Sequence, residues 1–321
     1  MSQSTTHATD TDPGAAGTPL VSILTPSFEQ AEWLRWNLRS VACQTYPRIE
    51  HIVMDGGSTD GTIDVLRAEQ EARAADVDRP GVRLTWSSEP DRGQSHALNK
   101  AFAVARGDII GWINSDDAYF DPRVIADVVR AFAHHPDVDV VYGHLAQVAA
   151  DGTIIWLNWV PRFSRRLLGI VNFIGQPVAF IRRSALTEPM VDESYDFTMD
   201  YELWLRLAAR GCRFMRIGRI TAVDRHHGAR KGVTMTEVLH ADLERLADTH
   251  GRGYPRGKRL LSRVFYAWRR AAGALLIPLV PSDLAFTEAR TSRWALVRRQ
   301  LLSWNRRWPD DYVPEDRAPR A

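Results

Sequence analysis

An α/β fold with a mostly parallel sheet covered by helices on both faces is predicted by three features of this 321-residue chain. From Leu20 onward, short runs rich in Val and Ile alternate strictly with stretches of helical period. Those runs are almost continuously apolar, as strands buried on both faces are. The segments following four successive runs are polar, acidic or glycine-bearing, and in an open parallel sheet such segments converge on the edge where ligands bind.

The elements follow in order. Residues 1–18, mostly Ser, Thr, Asp, Gly and Ala, read as a disordered leader ahead of a domain over 19–250. Strands are predicted at 21–25, 49–54, 82–87, 108–113 and 138–142, and helices at 31–43, 62–75, 95–106 and 122–134. After Gly143 the rhythm loosens, dividing the domain into halves at 19–143 and 144–250. Strands are expected at 153–159, 176–181, 213–217 and 221–226, with a helix over 199–210. From Gly251 a linker leads into a helical extension over 251–321.

Composition narrows the possibilities. A 45% hydrophobic, 25% charged chain is folded rather than disordered. With only Cys43 and Cys212, neither a disulfide framework nor a four-cysteine zinc site can form within one chain, and both thiols are expected in the core. No secretory signal is visible, and the apolar run at 271–281 is too short to span a bilayer, so a cytoplasmic or peripheral location is expected. The net charge of +2 conceals an asymmetry: residues 256–321 carry 14 basic and 6 acidic side chains, against a weakly acidic 20–255.

The segments that carry chemistry are Thr25-Pro26-Ser27-Phe28, Asp55-Gly56-Gly57-Ser58-Thr59-Asp60-Gly61, Glu89-Pro90-Asp91-Arg92-Gly93-Gln94-Ser95 and Asn114-Ser115-Asp116-Asp117. Each alone is ordinary turn and capping chemistry; four at one sheet edge are a site. The first loop lacks the glycines of a dinucleotide fingerprint, and no P-loop occurs. Adjacent carboxylates at Asp116 and Asp117 repel unless a cation or proton relieves them, and with a diphosphate they suit Mg²⁺ or Mn²⁺, though Asp117 also reads as a turn residue.

These segments, with Gln176-Pro177, Met199-Asp200-Tyr201-Glu202-Leu203-Trp204 and Arg225-His226-His227, resemble family 2 glycosyltransferases of GT-A fold, in order, over roughly 20–250. The resemblance implies an inverting, metal-dependent transfer of a sugar from a nucleoside diphosphate sugar, commonly UDP-linked, to a glycan or lipid-linked acceptor. A cell-envelope or exopolysaccharide acceptor is the expected setting. It implies that Thr25, Pro26, Ser27 and Phe28 line the nucleotide pocket, that Asp55 accepts from the base, and that Asp91 and Arg92 border the diphosphate. Asp117 would ligate the metal directly and Asp116 would contact ribose or metal-bound water; His227 is a further candidate ligand, and Gln176 an acceptor-side residue. Asp200 matches the catalytic base, while also standing where a helix N-cap would. Asn114 replaces an Asp common in relatives, and His96 stands where many have Asp.

Two other readings share the layout. A nucleotidyltransferase would place a Gly-rich basic loop after the first strand, and Thr25–Gln30 lacks both Gly and Lys. A silent sugar-nucleotide-binding scaffold is opposed by Asp55, Asp116, Asp117 and Asp200 occurring together. In the tail, positions 260, 261, 264, 265 and 268 form one apolar face, and a second helix is expected at 292–308. Basic amphipathic helices suit an anionic membrane surface, where each basic residue adds ~1 kcal/mol; packing on the domain or self-association as a homo-oligomer are the alternatives. Nucleic acid is a poor fit, because no recognised nucleic-acid module accompanies the charge.

Overall fold

The computed structural model describes residues 17–75, 81–150, 152, 154–228, 236–250 and 258–276. The 1–16 part of the leader and the 292–308 helix lie outside them.

The first half alternates as its sequence pattern predicts. Strands β1 (Val21–Ser27), β2 (Ile49–Asp55), β3 (Val82–Ser88) and β4 (Ile109–Trp112) are separated by helices α1 (Ala31–Ala42), α2 (Thr62–Ala75) and α3 (Gln94–Val104). They pair in parallel in the order β3-β2-β1-β4, so the chain reverses its direction of travel across the sheet between β1 and β4. All seven residues of β1, central in this half, are buried, whereas Arg83 and Thr85 of edge strand β3 are exposed.

The second half is mixed. After the two-residue β5 (Ala118–Tyr119) and helix α4 (Val124–His134) come β6 (Val140–Ala149) and β7 (Ile154–Asn158), an antiparallel pair. A short helix α5 (Arg165–Leu168) leads to β8 (Ala179–Arg182), which runs antiparallel to both β4 and β6. The predicted 176–181 strand therefore begins late: Gln176–Val178 form a 3₁₀ turn, consistent with Pro177 having no N–H for a ladder. Helix α6 (Met199–Ala209) follows, then β9 (Phe214–His226). The two strands expected at 213–217 and 221–226 are one, with Gly218 inside it and its register to β6 shifting around Gly143 and His144. Helices α7 (Thr236–Thr249) and α8 (Lys258–Leu276) complete the described chain.

Period-two alternation sends side chains to both faces. Leu24, Ile110, Trp112, Val140 and Tyr142 join Leu98 and Phe102 of α3 and Trp204 and Leu207 of α6 in one core. Val21, Ile23, Ile109 and Val141 join Val41 of α1 and Val124, Val128 and Phe132 of α4 in another, while Leu34, Leu38, Val65 and Leu66 seal α1 and α2 against β2 and β3. Both cysteines are free thiols, half-buried rather than deep in a core.

Candidate active site

A cleft of about 1010 Å³ opens beyond the carboxyl ends of β1 and β4, where the order of strands reverses. One end is lined by Pro26, Ser27, Phe28 and Gln30 after β1, by Gly56 after β2, and by Pro90, Asp91, Gly93 and Gln94 before α3. Asn114, Ser115, Asp116 and Asp117 form the middle, and Gln176, Asn172, Thr198, Asp200, Leu243 and Tyr266 belong to the far wall.

The first end is held by local chemistry. Glu29 adopts a left-handed conformation (φ 52°), turning the chain so that its N–H reaches Ser58 Oγ at 2.7 Å and its carboxylate accepts from Thr59 N at 2.8 Å. Phe28, 61% exposed, is left at the cleft mouth. Gly56 makes that space: a Cβ there would lie 3.1 Å from the Phe28 ring and 3.2 Å from Asp91 Oδ2.

Asp55 is buried and accepts from Gly57 N (3.1 Å), Ser58 N (2.9 Å), Ser58 Oγ (2.6 Å) and Ser88 Oγ (2.6 Å). Three of these donors converge on Oδ2 and the Ser58 hydroxyl alone reaches Oδ1, which keeps one acceptor position. Asp55 does not line the cleft, and neither do Thr25 and Arg92. Thr25 is buried, with Oγ1 3.0 Å from Nε2 of His51, whose pKa burial and Arg73 lower well below the usual histidine range. Arg92 points out and pairs with Glu193 at 2.8 Å. His96 accepts from Arg92 N through Nδ1 (3.2 Å), and Asp91 accepts from Gly93 N (2.8 Å), so both shape the turn before α3.

At the centre, Asn37 of α1 donates to the carbonyls of Asn114 (2.8 Å) and Asp117 (3.3 Å), pinning the acidic loop. Asn114 Oδ1 accepts from Gln94 Nε2 at 2.7 Å and Trp112 Nε1 at 3.0 Å. Strand β5 then pairs Ala118 with Val223 of β9, which brings the Arg225–His227 segment alongside. Asp117 is buried and its Oδ1 accepts from Arg225 N at 3.3 Å; Asp116 Oδ2 lies 3.0 Å from His227 Nε2. His227 stacks on Trp33 with centroids 5.0 Å apart, and the buried Arg225 guanidinium lies 5.3 Å from both the Trp33 and the Trp36 ring. Gln176 is buried and donates to the Trp112 carbonyl.

Among the described residues no three His, Cys, Asp or Glu side chains cluster as a closed metal cage. Mg²⁺ and Mn²⁺ beside phosphates need fewer, commonly one or two carboxylates with the substrate supplying oxygens. Asp116, Asp117 and His227 fit that requirement: Nε2 of His227 is held by Asp116, while its Nδ1 is buried without a hydrogen-bond partner among the described residues.

On the far wall Asp200 lies in the first turn of α6; the N-cap position is Thr198, not Asp200 as the sequence allowed. Tyr201 N donates to its Oδ1 at 2.7 Å and Asn172 Nδ2 to its Oδ2 at 3.0 Å. Burial pushes the carboxyl up to about 6, with those two hydrogen bonds working the other way. Such a group is ionised near neutrality yet basic enough to take a proton. Sequence reasoning missed Asn172; its signal was a lone polar side chain in the apolar run 170–174 between Gly169 and Gly175. It also missed Tyr266, whose hydroxyl donates to the Asn172 carbonyl at 3.4 Å.

A sheet of this order, with acidic loops at its switch point and a carboxylate on the opposite wall, defines a glycosyltransferase of GT-A fold. The chain belongs to glycosyl transferase family 2, whose model matches residues 22–188. It is 30% identical over 264 residues to an uncharacterized glycosyltransferase of Mycobacterium tuberculosis, covering 78% of this chain and 93% of that one. It is 29% identical over 204 residues to a chondroitin synthase of Pasteurella multocida, covering 63% of this chain and 20% of that protein. Among solved structures, Staphylococcus aureus TarS in complex with UDP-GlcNAc matches with a TM-score of 0.54 at 15% identity, over 81% of this chain and 82% of that one. The mannosyltransferase PcManGT of Pyrobaculum calidifontis, in complex with GDP-Man and Mn²⁺, matches with a TM-score of 0.53 at 20% identity, over 92% and 76%.

Proposed function

We propose that the chain transfers a sugar, with inversion, from a UDP-linked donor to a hydroxyl of a glycan or lipid-linked acceptor in cell-envelope or exopolysaccharide synthesis. The observation that carries this is Asp200, a carboxylate with a raised pKa fixed by Asn172 on the cleft wall facing away from the nucleotide loops. Family membership and relatives such as the chondroitin synthase support the polysaccharide setting; the TarS complex supports UDP.

In this reading the acceptor hydroxyl gives its proton to Asp200 as its oxygen bonds to the anomeric carbon. The bond from that carbon to the diphosphate breaks, and the nucleoside diphosphate leaves with the electron pair. One displacement inverts the centre and requires a single base. Phe28 offers its exposed ring to the nucleobase, and Ser27, Asp91 and Gln94 surround the donor end. Mg²⁺ or Mn²⁺, held by Asp117 and Asp116 with His227 alongside, would act as a Lewis acid that neutralises charge on the diphosphate. Asp55, whose Oδ1 accepts only from the Ser58 hydroxyl, would take a uracil N3–H at that oxygen once it is brought to the cleft wall. The location that follows is the cytoplasm, at the inner face of the membrane when the acceptor is lipid-linked.

The test is nucleoside diphosphate release from UDP-, GDP- and dTDP-sugars with Mg²⁺ or Mn²⁺. Asp200→Asn should lower turnover by ~10²–10⁴ with donor KM unchanged. Wild type as silent as Asp200→Asn with every donor would favour the scaffold, and pyrophosphate release from nucleoside triphosphates would favour nucleotidyl transfer.

A further inference from the structure

Helix α8 was expected from sequence to have one apolar face, and only part of that face meets the domain. Phe265 packs on the main core, Ala272 and Arg269 are buried, and Gly273 crosses β7 so closely that a Cβ would lie 1.9 Å from the Leu157 carbonyl oxygen. Ser262 and Tyr266 line the cleft near Asn172. The apolar row that remains faces out: Leu260 is 67%, Leu261 55%, Val264 59% and Trp268 45% exposed, the last while also edge-on to Trp159 at 4.8 Å. Positions 260, 264 and 268 repeat every four residues and 261 falls beside them, so they form one continuous stripe.

The same helix carries Lys258, Arg259, Arg263, Arg269 and Arg270 and no acidic residue. Charge discriminates between the surfaces able to cover the stripe. The chain's own 292–308 segment is amphipathic but holds five Arg and no acidic residue, so laying it on α8 would set cations against cations. A second copy meeting α8 to α8 would do the same. An anionic headgroup layer accepts the apolar stripe and pairs with the exposed Arg263 beside it. No helix among the described residues is long and apolar enough to cross a membrane, so contact through α8 would lie on the surface.

We infer that α8 seats the far end of the cleft on an anionic lipid surface, so that the acceptor is taken from lipid. The lipid contact stands on the helix itself; acceptor entry at that end rests on the reading of Asp200 as the base. The full chain should float with phosphatidylcholine vesicles containing phosphatidylglycerol and stay behind with phosphatidylcholine alone. Leu260→Glu/Val264→Glu should reduce flotation at least ~10-fold, without changing Tm or nucleoside diphosphate release from donor into water. Transfer to a lipid-linked acceptor embedded in the same vesicles should fall by the same factor.

Failure of the wild type to float, or equal flotation by the variant, overturns the inference. So does a variant that loses Tm or dissociates a dimer while flotation is unaffected, which would assign the stripe to the chain's own segment or to a second copy. Unchanged transfer to the embedded acceptor would overturn the lipid source of the acceptor. Absence of nucleoside diphosphate release from every donor would sink the sugar-transfer reading alone, and flotation would still decide the surface.

Discussion

Asp200 suits the proposed role of base because two opposing effects leave its pKa in a useful range. Burial disfavours the charged form and lifts the carboxyl to about 6, while the Asn172 and Tyr201 N–H groups favour it. Below about 6 the group is protonated and cannot accept, so kcat/KM should fall tenfold per pH unit on the acid side, with its inflection near that value. Asn172→Ala removes a donor to the ionised form, and the acid limb of the pH profile should move upward by roughly one unit. A uniform loss at all pH values would make Asn172 a mere packing residue. At the donor end, Phe28→Ala should raise donor KM without lowering kcat, in line with the ~1–3 kcal/mol that base stacking on an aromatic ring is worth. Isothermal titration with UDP would measure the same loss directly.

Elements are fastened to one another by side chains that serve two of them at once. Asp60 accepts from Ala31 N at the start of α1 (2.8 Å) and from Thr62 N and Oγ1 at the start of α2 (3.1 and 2.6 Å). Burial would raise its pKa, but these hydrogen bonds outweigh it and bring the carboxyl below 3.8. A depressed folded pKa contributes stability that is present above 3.8 and lost as pH falls through the lowered value. Asp60→Ala removes a solvent-screened cap and should cost ~1 kcal/mol or less at pH 7, and the difference from wild type should shrink in urea unfolding as pH falls below the ordinary carboxylate range. At the other end of the chain, Gly273→Val would drive a side chain into the Leu157 carbonyl and lift α8 from β7. Amide hydrogen exchange within 258–276 should accelerate in that variant, and Tyr266 would lose its hold on Asn172.

Across the whole molecule the proposed mechanism places the donor at the cleft end on the parallel half of the sheet and the acceptor at the end lined by α7 and α8. Hydrogen exchange with UDP and Mn²⁺ should therefore protect 26–30, 56–61, 90–95 and 114–117 and leave 236–250 and 258–276 unaffected. Protection confined to the two helices would reverse the assignment of the ends.

Much of this plan was legible before any coordinate. The alternating apolar strands and helical periods marked every element through α4 except the two-residue β5, because both signals are local and strong in buried parallel strands. The polar loops after β1, β2, β3 and β4 announced the site for the same reason: a parallel half-sheet puts all its strand ends on one edge. What the pattern could not carry was anything set by pairing across long separations. A two-residue β5 has no period, yet it is what draws Asp117 and Arg225 together across 108 positions. Asp55 and Thr25 carried the right chemistry for a nucleotide, but their side-chain partners, Ser88 and His51, turn them away from the cleft wall. Helical period revealed that α8 is amphipathic but not which flank meets the domain, since Gly273 and Phe265 dock one side and leave the apolar stripe facing outward. The sequence by itself determined the strands and the acidic loops, and it offered Asp200 as the base of the proposed reaction. Only the tertiary structure decided which carboxylates face the cleft and what holds them there, because those contacts join residues that no local period relates.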